Sequence, residues 1–215
     1  MRTIALVTQK GGSGKSTLAI GLAIAAQQDG EQVYMLETDK QGTVTNWGLR
    51  RTSEEPGIDR VSGGPELDRA IKLLASQGYT LAIIDTPGVD SVTVTAAIRA
   101  ADLCLIPARP SPADIEAANP TLDAIRKLGR PFAFVLNQTP SRSFRLSEAA
   151  NALNMWGVLA MPYIVQRNDH QDALGAGLAV TEFAPESKAA DEIRALWAWV
   201  KKRLSVKGFD YAVAS

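Results

Sequence analysis

One cysteine and one histidine among 215 residues exclude chemistries that need sulfur or imidazole in groups. Cys104 has no partner for an internal disulfide, which leaves the chain compatible with a reducing compartment. His170 has neither a cysteine nor a second histidine near it, so no metal ligand set can be written around it, and it reads as a surface residue at a helix start. An excess of charge of either sign is also missing, because Lys plus Arg and Asp plus Glu both count 23. That excludes nucleic-acid binding by bulk charge alone. It leaves room for a local basic patch, since phosphate attraction is governed by charges within about 8–10 Å at physiological salt. Long apolar runs are lacking as well: the longest uncharged helical candidate, Ser16 to Gln28, is too short to span a bilayer. Met1 to Ala5 runs straight into an apolar strand without the layout of a secretion signal, so the expected compartment is the cytoplasm, with no membrane partner.

What is present is a repeated alternation of short apolar runs and helical patterns. Ile4 to Val7 reads as a strand, Ser16 to Gln28 as a buried helix, Val33 to Leu36 as a strand and Pro65 to Gln77 as an amphipathic helix. Leu81 to Ile84, Leu103 to Ile106, Phe132 to Leu136 and a segment near Val158 to Tyr163 continue the strands. Val92 to Ala100, Asp114 to Leu128, Leu146 to Asn154 and Glu186 to Leu204 supply further helices. Gly42 to Gly64 reads as a polar loop before a possible edge strand at Ile58 to Val61. The expected fold is a single α/β domain over residues 1–204, a mostly parallel twisted sheet with helices on both faces, followed by a loosely held tail at 205–215. No helix-turn-helix is expected before the first strand, which starts at the second residue.

Lys10-Gly11-Gly12-Ser13-Gly14-Lys15-Ser16-Thr17 lies between the first strand and the first helix. Backbone N–H groups and the positive end of the helix dipole converge there on an anion, and the glycines let the chain wrap phosphate oxygens without Cβ clashes. Lys15 can reach a β- or γ-phosphate and the Ser16 hydroxyl can ligate Mg²⁺. A glycine-rich turn with chance lysines is the plain alternative, and the strand, loop, Gly-Lys-Ser and helix in order argue against it. The common phosphate-loop pattern wants glycine where Gln9 stands, and it has no counterpart of Lys10.

Gln-Lys-Gly-Gly-x-Gly-Lys-[Ser/Thr] resembles the deviant Walker A box of the ParA/MinD superfamily of P-loop NTPases, and the glutamine before the first lysine is closer to its ParA branch. The resemblance implies that Gly11, Gly12, Ser13, Gly14, Lys15, Ser16 and Thr17 bind ATP, and that Lys10 reaches the nucleotide of a partner subunit. Glu37-Thr38-Asp39-Lys40-Gln41-Gly42 is similar to the family's Asp-x-Asp-Pro-Gln-Gly box, which gives Asp39 the role of positioning the attacking water. Glu37 and Lys40 depart from that box, and either acid could instead cap or solvate a loop. Leu81 to Gly88 has the form of a Walker B segment, an apolar strand ending in Asp85, where the carboxylate holds Mg²⁺ with Ser16. Gly88 can supply mobile backbone that senses the γ-phosphate.

Three prolines between Ile106 and Asp114 stiffen a strand exit, and they resemble the segment that lines the dimer interface in small ParF-type partition proteins. In the family an asparagine at the strand end occupied by Asn137 contacts adenine, and the segment from Met161 to Val165 closes over the base. The resemblance offers Arg142, Arg145 and Arg167 as contacts to DNA without sequence preference, and Lys201-Lys202-Arg203 as a further basic cluster or simply a favourable helix end. Together these residues imply a ParA-type ATPase with ATP and Mg²⁺ as cofactors. It would dimerise on ATP, bind nucleoid DNA, be stimulated by a ParB-type or other small adaptor, and partition a plasmid or chromosome or position another large cargo. Two other classes share the phosphate loop: a MinD-like membrane-positioning ATPase, disfavoured by the lack of a basic amphipathic anchor in Phe209 to Ser215, and a metabolic enzyme such as dethiobiotin synthetase. Reductases of the nitrogenase iron-protein type are excluded because a bridging cluster needs two exposed cysteines per subunit.

Overall fold

Alternation along the first strand decides the layering. Arg2–Leu6 (β1) sends Ile4 and Leu6 to one face of a sheet and Ala5, with Val7 just beyond, to the other, and all four are fully buried. Both faces therefore need a cover of helices. The computed structural model describes residues 1–89, 91–141 and 144–205. After β1 the chain forms Lys15–Gln28 (α1), Val33–Glu37 (β2), Thr43–Gly48 (α2), Gly57–Arg60 (β3), Gly64–Ser76 (α3), Leu81–Asp85 (β4) and Val92–Ala100 (α4). Leu103–Ala108 (β5), Pro112–Glu116 (α5), Asn119–Lys127 (α6), Phe132–Leu136 (β6) and Phe144–Trp156 (α7) follow. Asn168–Gly175 (α8), Val180–Phe183 (α9) and Lys188–Ser205 (α10) complete the order.

The sheet has six strands in the order β3-β2-β4-β1-β5-β6, and every pairing is parallel. One core lies between the sheet and α1, α2, α8, α9 and α10; the other lies under α3, α4, α6 and α7. Helix α1 is apolar nearly all round because it is covered twice, by the sheet and by α10, and Leu18 to Ala26 are buried without interruption. Gly21 permits that contact: a Cβ there would meet Ile193 at 3.3 Å. Each fully buried leucine or isoleucine in this layer, such as Leu22, Ile193 and Leu196, stabilises the fold by about 1.5–3 kcal/mol. Trp197 Nε1 at 2.8 Å and Lys201 Nζ at 2.6 Å both donate to Asp29, which fixes α10 across the end of α1.

β1 lies between β4 and β5, so the crossovers on its two sides run to opposite halves of the sheet. Ligands bind in α/β folds at the carboxyl edge beside such a reversal. Because all strands are parallel, the loops after β1, β2, β4, β5 and β6 open on that one edge.

Four expectations change. The helix expected from Asp114 to Leu128 is two, α5 and α6, and Pro120 opens the second at a position where proline's missing N–H costs nothing. Val158 to Tyr163 is not a strand: it touches β6 through a single isolated bridge, Leu159 to Phe134, and Pro162, which has no N–H to give a ladder, interrupts it. Gly42 to Gly64 holds the helix α2 as well as a loop, while its edge strand is present as β3. Helices α8 and α9 had no counterpart in the sequence pattern, apart from a helix start near His170. Helix α10 runs through Ser205, and the tail beyond it lies outside the described residues. Among the described residues no helix is long and apolar enough to cross a membrane.

Candidate active site

The glycine-rich loop is held from three sides. Gly14 precedes α1 at φ 85° and ψ 23°, in the left-handed region that a side chain disfavours. A Cβ there would lie 2.3 Å from Asn137 Nδ2. Asn137 leaves β6 almost fully buried and donates from that same amide to the Ser13 carbonyl at 2.8 Å, while Gln138 Nε2 donates to the Gly12 carbonyl at 3.2 Å. On the other flank the Gln9 N–H donates to Thr121 Oγ1 of α6 at 3.2 Å. The first N–H groups of α1 have no partner within the helix and are presented by this pinned backbone.

Lys15 is buried, with Nζ 3.4 Å from the Thr8 carbonyl and 3.3 Å from the Lys10 carbonyl, so its ammonium lies over its own loop. Burial lowers its pKa, opposed by the nearby carboxylates of Asp85 and Asp39. Asp85 ends β4 at 1% exposure. Its Oδ2 accepts the Ser16 hydroxyl at 2.6 Å, and burial pushes its pKa up to about 7 against the pull of Ser16 and Lys15. Its Oδ1 is buried without a hydrogen-bond partner among the described residues. An orphaned carboxylate oxygen beside a serine hydroxyl is the donor set of a hard divalent cation, and these residues fit Mg²⁺. The Asp85 backbone is fixed too, since its carbonyl accepts both the Thr38 N–H at 2.9 Å and the Thr38 hydroxyl at 3.0 Å.

The two acids after β2 separate in role. Glu37 is buried and accepts from Val44 N at 2.8 Å, from Thr45 N at 3.0 Å and from the Thr45 hydroxyl. It is therefore a helix cap for α2, the plainer of its two readings, and its extra methylene relative to aspartate gives the reach. Asp39 is half-buried; its Oδ1 accepts the Gln41 N–H at 2.9 Å, and its charge is felt at Lys15.

Lys10 engages a different partner from Lys15. Its Nζ lies 3.0 Å from Asp114 Oδ2, in the same chain. Asp114 Oδ1 takes Arg109 Nε at 3.0 Å, and its Oδ2 also accepts the Ser111 hydroxyl at 2.5 Å. Burial raises the Asp114 pKa, but the bonds from Ser111, Lys10 and Arg109 outweigh it and hold the group below the usual carboxylate range. The role of Asp114 was missed from sequence, although Ser111-x-x-Asp114 is the spacing of a helix-start box that ties the two side chains together.

Beside the loop, Thr17, Asn137, Ile164, Gln166, Arg167 and His170 are among the residues lining a cavity of about 110 Å³. Arg167 belongs to this wall: its guanidinium pairs with Glu192 at 2.7 Å, and its Nε is buried. Arg167, which the resemblance offers to DNA, is thus paired within the chain to a residue 25 positions away. His170 lies in the first turn of α8 as expected, yet its Nε2 is buried without a partner among the described residues and burial lowers its pKa. Lys201 also has acidic partners that its neighbourhood in sequence did not reveal, Asp29 at 2.6 Å and Glu31 at 3.9 Å. Arg142 lies outside the described residues, and Arg145 is placed only as part of α7.

Residues 4–194 match the CobQ/CobB/MinD/ParA nucleotide binding domain. The chain is 30% identical over 187 residues to the maintenance of carboxysome distribution protein A of Gloeobacter kilaueensis, covering 85% of each protein. It is 31% identical over 179 residues to the protein ParA of Rhizobium radiobacter, covering 78% of this chain and 79% of the relative. An ATP complex of Cyanothece McdA superposes with a TM-score of 0.74 at 20% identity over 98% of both chains, which speaks to the fold. With nearly the whole parallel sheet inside the matched region and the two lysines of the glycine-rich loop in place, this chain belongs to the MinD/ParA family of nucleotide-binding domains.

Proposed function

We propose that this chain is a ParA-type ATPase that binds ATP with Mg²⁺, dimerises around it, associates with DNA without sequence preference and positions a large cargo. The observation that carries this reading is that two lysines on one loop engage different partners. Lys15 covers its own loop, as a residue serving its own nucleotide must, while Lys10 pairs with Asp114 after the proline-rich strand exit. Val89 and Val92, apolar and 63% and 83% exposed, follow Gly88 in the chain, and the missing Cβ of Gly88 lets it lie against Gly11. Exposed apolar side chains so close in the chain to a residue that packs on the glycine-rich loop suit contact with a second copy.

In this reading Lys15 leaves the Thr8 and Lys10 carbonyls for the phosphates. The first-turn amides of α1 take the remaining oxygens, and Ser16 and Asp85 hold the cation, which supplies charge neutralisation on the phosphate oxygens. Asp39, half-buried beside the loop, orients the attacking water. Lys10 adds its charge from the partner subunit. Asn137 holds the Ser13 carbonyl and borders the cavity, where the base fits. A small adaptor would speed hydrolysis, and DNA binding would place the protein on the nucleoid. One relative is named for carboxysome distribution, so a protein assembly stands beside a plasmid or chromosome as cargo.

Lys15→Ala removes the buried ammonium and is expected to weaken ATP binding by about 3 kcal/mol, a roughly hundredfold loss. Unchanged affinity would remove the phosphate-loop assignment. Co-sedimentation with random-sequence duplex in ATP–Mg²⁺, ADP–Mg²⁺ and no nucleotide tests the rest. ATP-specific binding that falls steeply with salt is expected. Binding to anionic vesicles in place of DNA would redirect the function to a membrane surface.

A further inference from the structure

We propose that Asp114 is a positioning residue that holds Lys10 within its own protomer and so sets the ATP concentration at which two protomers assemble. The inference rests on the reading that Lys10 acts across a dimer. Lys10 Nζ, on a side chain 29% exposed, sits 3.0 Å from a carboxylate whose side chain is only 5% exposed, so the acceptor end of the contact is buried. An ammonium held there cannot at the same time reach a nucleotide in a partner, and assembly must break this bond.

The site is arranged for release. Asp114 is shared between two cations, with Lys10 on Oδ2 and Arg109 on Oδ1, and the Ser111 hydroxyl adds a third donor. When Lys10 departs, Arg109 and Ser111 remain, and the buried carboxylate is never left bare. Asp114 itself cannot follow the departing lysine. Pro107, Pro110 and Pro112 stiffen its approach, and Asp114 is bonded to Ser111 through both its own N–H and its side chain.

Nucleotide has a route to the latch through the backbone. The Lys10 carbonyl accepts Lys15 Nζ at 3.3 Å, so a phosphate that draws Lys15 away also frees the residue that carries the latch. Gly88, three residues after Asp85, packs against the same backbone, where a Cβ would lie 3.0 Å from Gly11 N and 3.2 Å from the Lys10 carbonyl carbon. Movement at either place is felt at Lys10.

Two substitutions should act in opposite directions. Asp114→Asn keeps the shape and the Ser111 contact but loses the charge, and is expected to lower the ATP concentration for half-maximal dimerisation by roughly three- to tenfold. Arg109→Gln removes the competing cation, tightens the hold on Lys10 and should raise that concentration by a similar factor. Sedimentation velocity across an ATP series reads both, with thermal melting to confirm that each variant folds. Amine acylation followed by mass spectrometry gives an independent readout in nucleotide-free protein: Lys10 should be protected in the parent and modified in Asp114→Asn, with exposed Lys127 as the internal standard. Shifts in the same direction, or Lys10 labelling unchanged by Asp114→Asn, would overturn the proposal. A parent protein that stays monomeric in saturating ATP, yet shows Lys10 labelling that depends on Asp114, would overturn the dimer reading and leave the cis contact standing.

Discussion

Gly14→Ala is the sharpest test of how the phosphate loop is held. Two costs arise from one methyl group. At φ 85° an alanine is in the left-handed region, at about 1–2 kcal/mol. The new Cβ would lie 2.3 Å from Asn137 Nδ2, more than 1 Å inside normal contact, so the amide must swing away and give up its 2.8 Å bond to the Ser13 carbonyl. Leaving a buried amide and carbonyl unpaired adds about 1–3 kcal/mol, for a total of roughly 2–5 kcal/mol. In a domain of this size that lowers the melting midpoint by on the order of 10 °C. Urea unfolding of Gly14→Ala, Asn137→Ala and the double variant separates the terms. Asn137→Ala alone loses the bond; in the double variant that bond is lost only once, the Asn137 clash is gone, and the backbone cost is added, with Gln138 Nε2 the nearest remaining neighbour at 3.2 Å. The double variant should therefore lose at least about 1 kcal/mol less than the sum of the singles. Strict additivity, or a loss below about 0.5 kcal/mol for Gly14→Ala, would refute the clamp.

Three further outcomes follow from buried polar groups. Glu37→Ala leaves three donors of α2 without an acceptor and should cost about 2–4 kcal/mol in urea unfolding, with Glu37→Gln recovering part of it; a cost near zero would show that α2 caps itself another way. Asp85, pushed up to about 7 from an unfolded value near 4, binds its proton more tightly when folded, so its contribution is complete below about pH 4 and is lost as pH rises through 7. In chelator, the parent should lose stability relative to Asp85→Asn across that window, by at most about 4 kcal/mol, and parallel curves would contradict the shift. Burial pushes the Cys104 thiol up to about 12, which leaves a thiolate fraction near 10⁻⁴ at pH 8 against about a quarter for a free cysteine. Alkylation should proceed only on unfolding, and rapid reaction of the native protein would place Cys104 elsewhere.

The parts of the site that are local in sequence were legible in it. Gly11 to Thr17, the apolar strand ending at Asp85 and the strand before Asn137 each carry their own pattern, and the structure brings all three to one edge of the sheet. Even the edge strand β3 was anticipated, from Ile58 and Val61 flanking the charged pair Asp59-Arg60 after a polar loop. Helix α2 was not, because six residues are too few for a helical period and its cap, Glu37, sits inside the preceding strand. The break between α5 and α6 was announced by Pro120, but the apolar spacing on both sides masked it. Charge pairing was the least readable feature. Arg167 with Glu192 and Lys201 with Asp29 are 25 and 172 residues apart, and only the folded chain brings those charges together.

The capping of α2 by Glu37 ties residue 37 to residues 44 and 45 as one unit across the loop that carries Asp39. Substitutions in this stretch are not independent. An aspartate at 37 falls one methylene short of Val44 N and Thr45 N, and a residue at 45 without a hydroxyl gives up one of the three donors. Natural variation at these positions should therefore be correlated. Grafting a relative's acidic loop into this chain should succeed when the exchanged segment runs unbroken from 37 to 45 and fail when a junction falls between them.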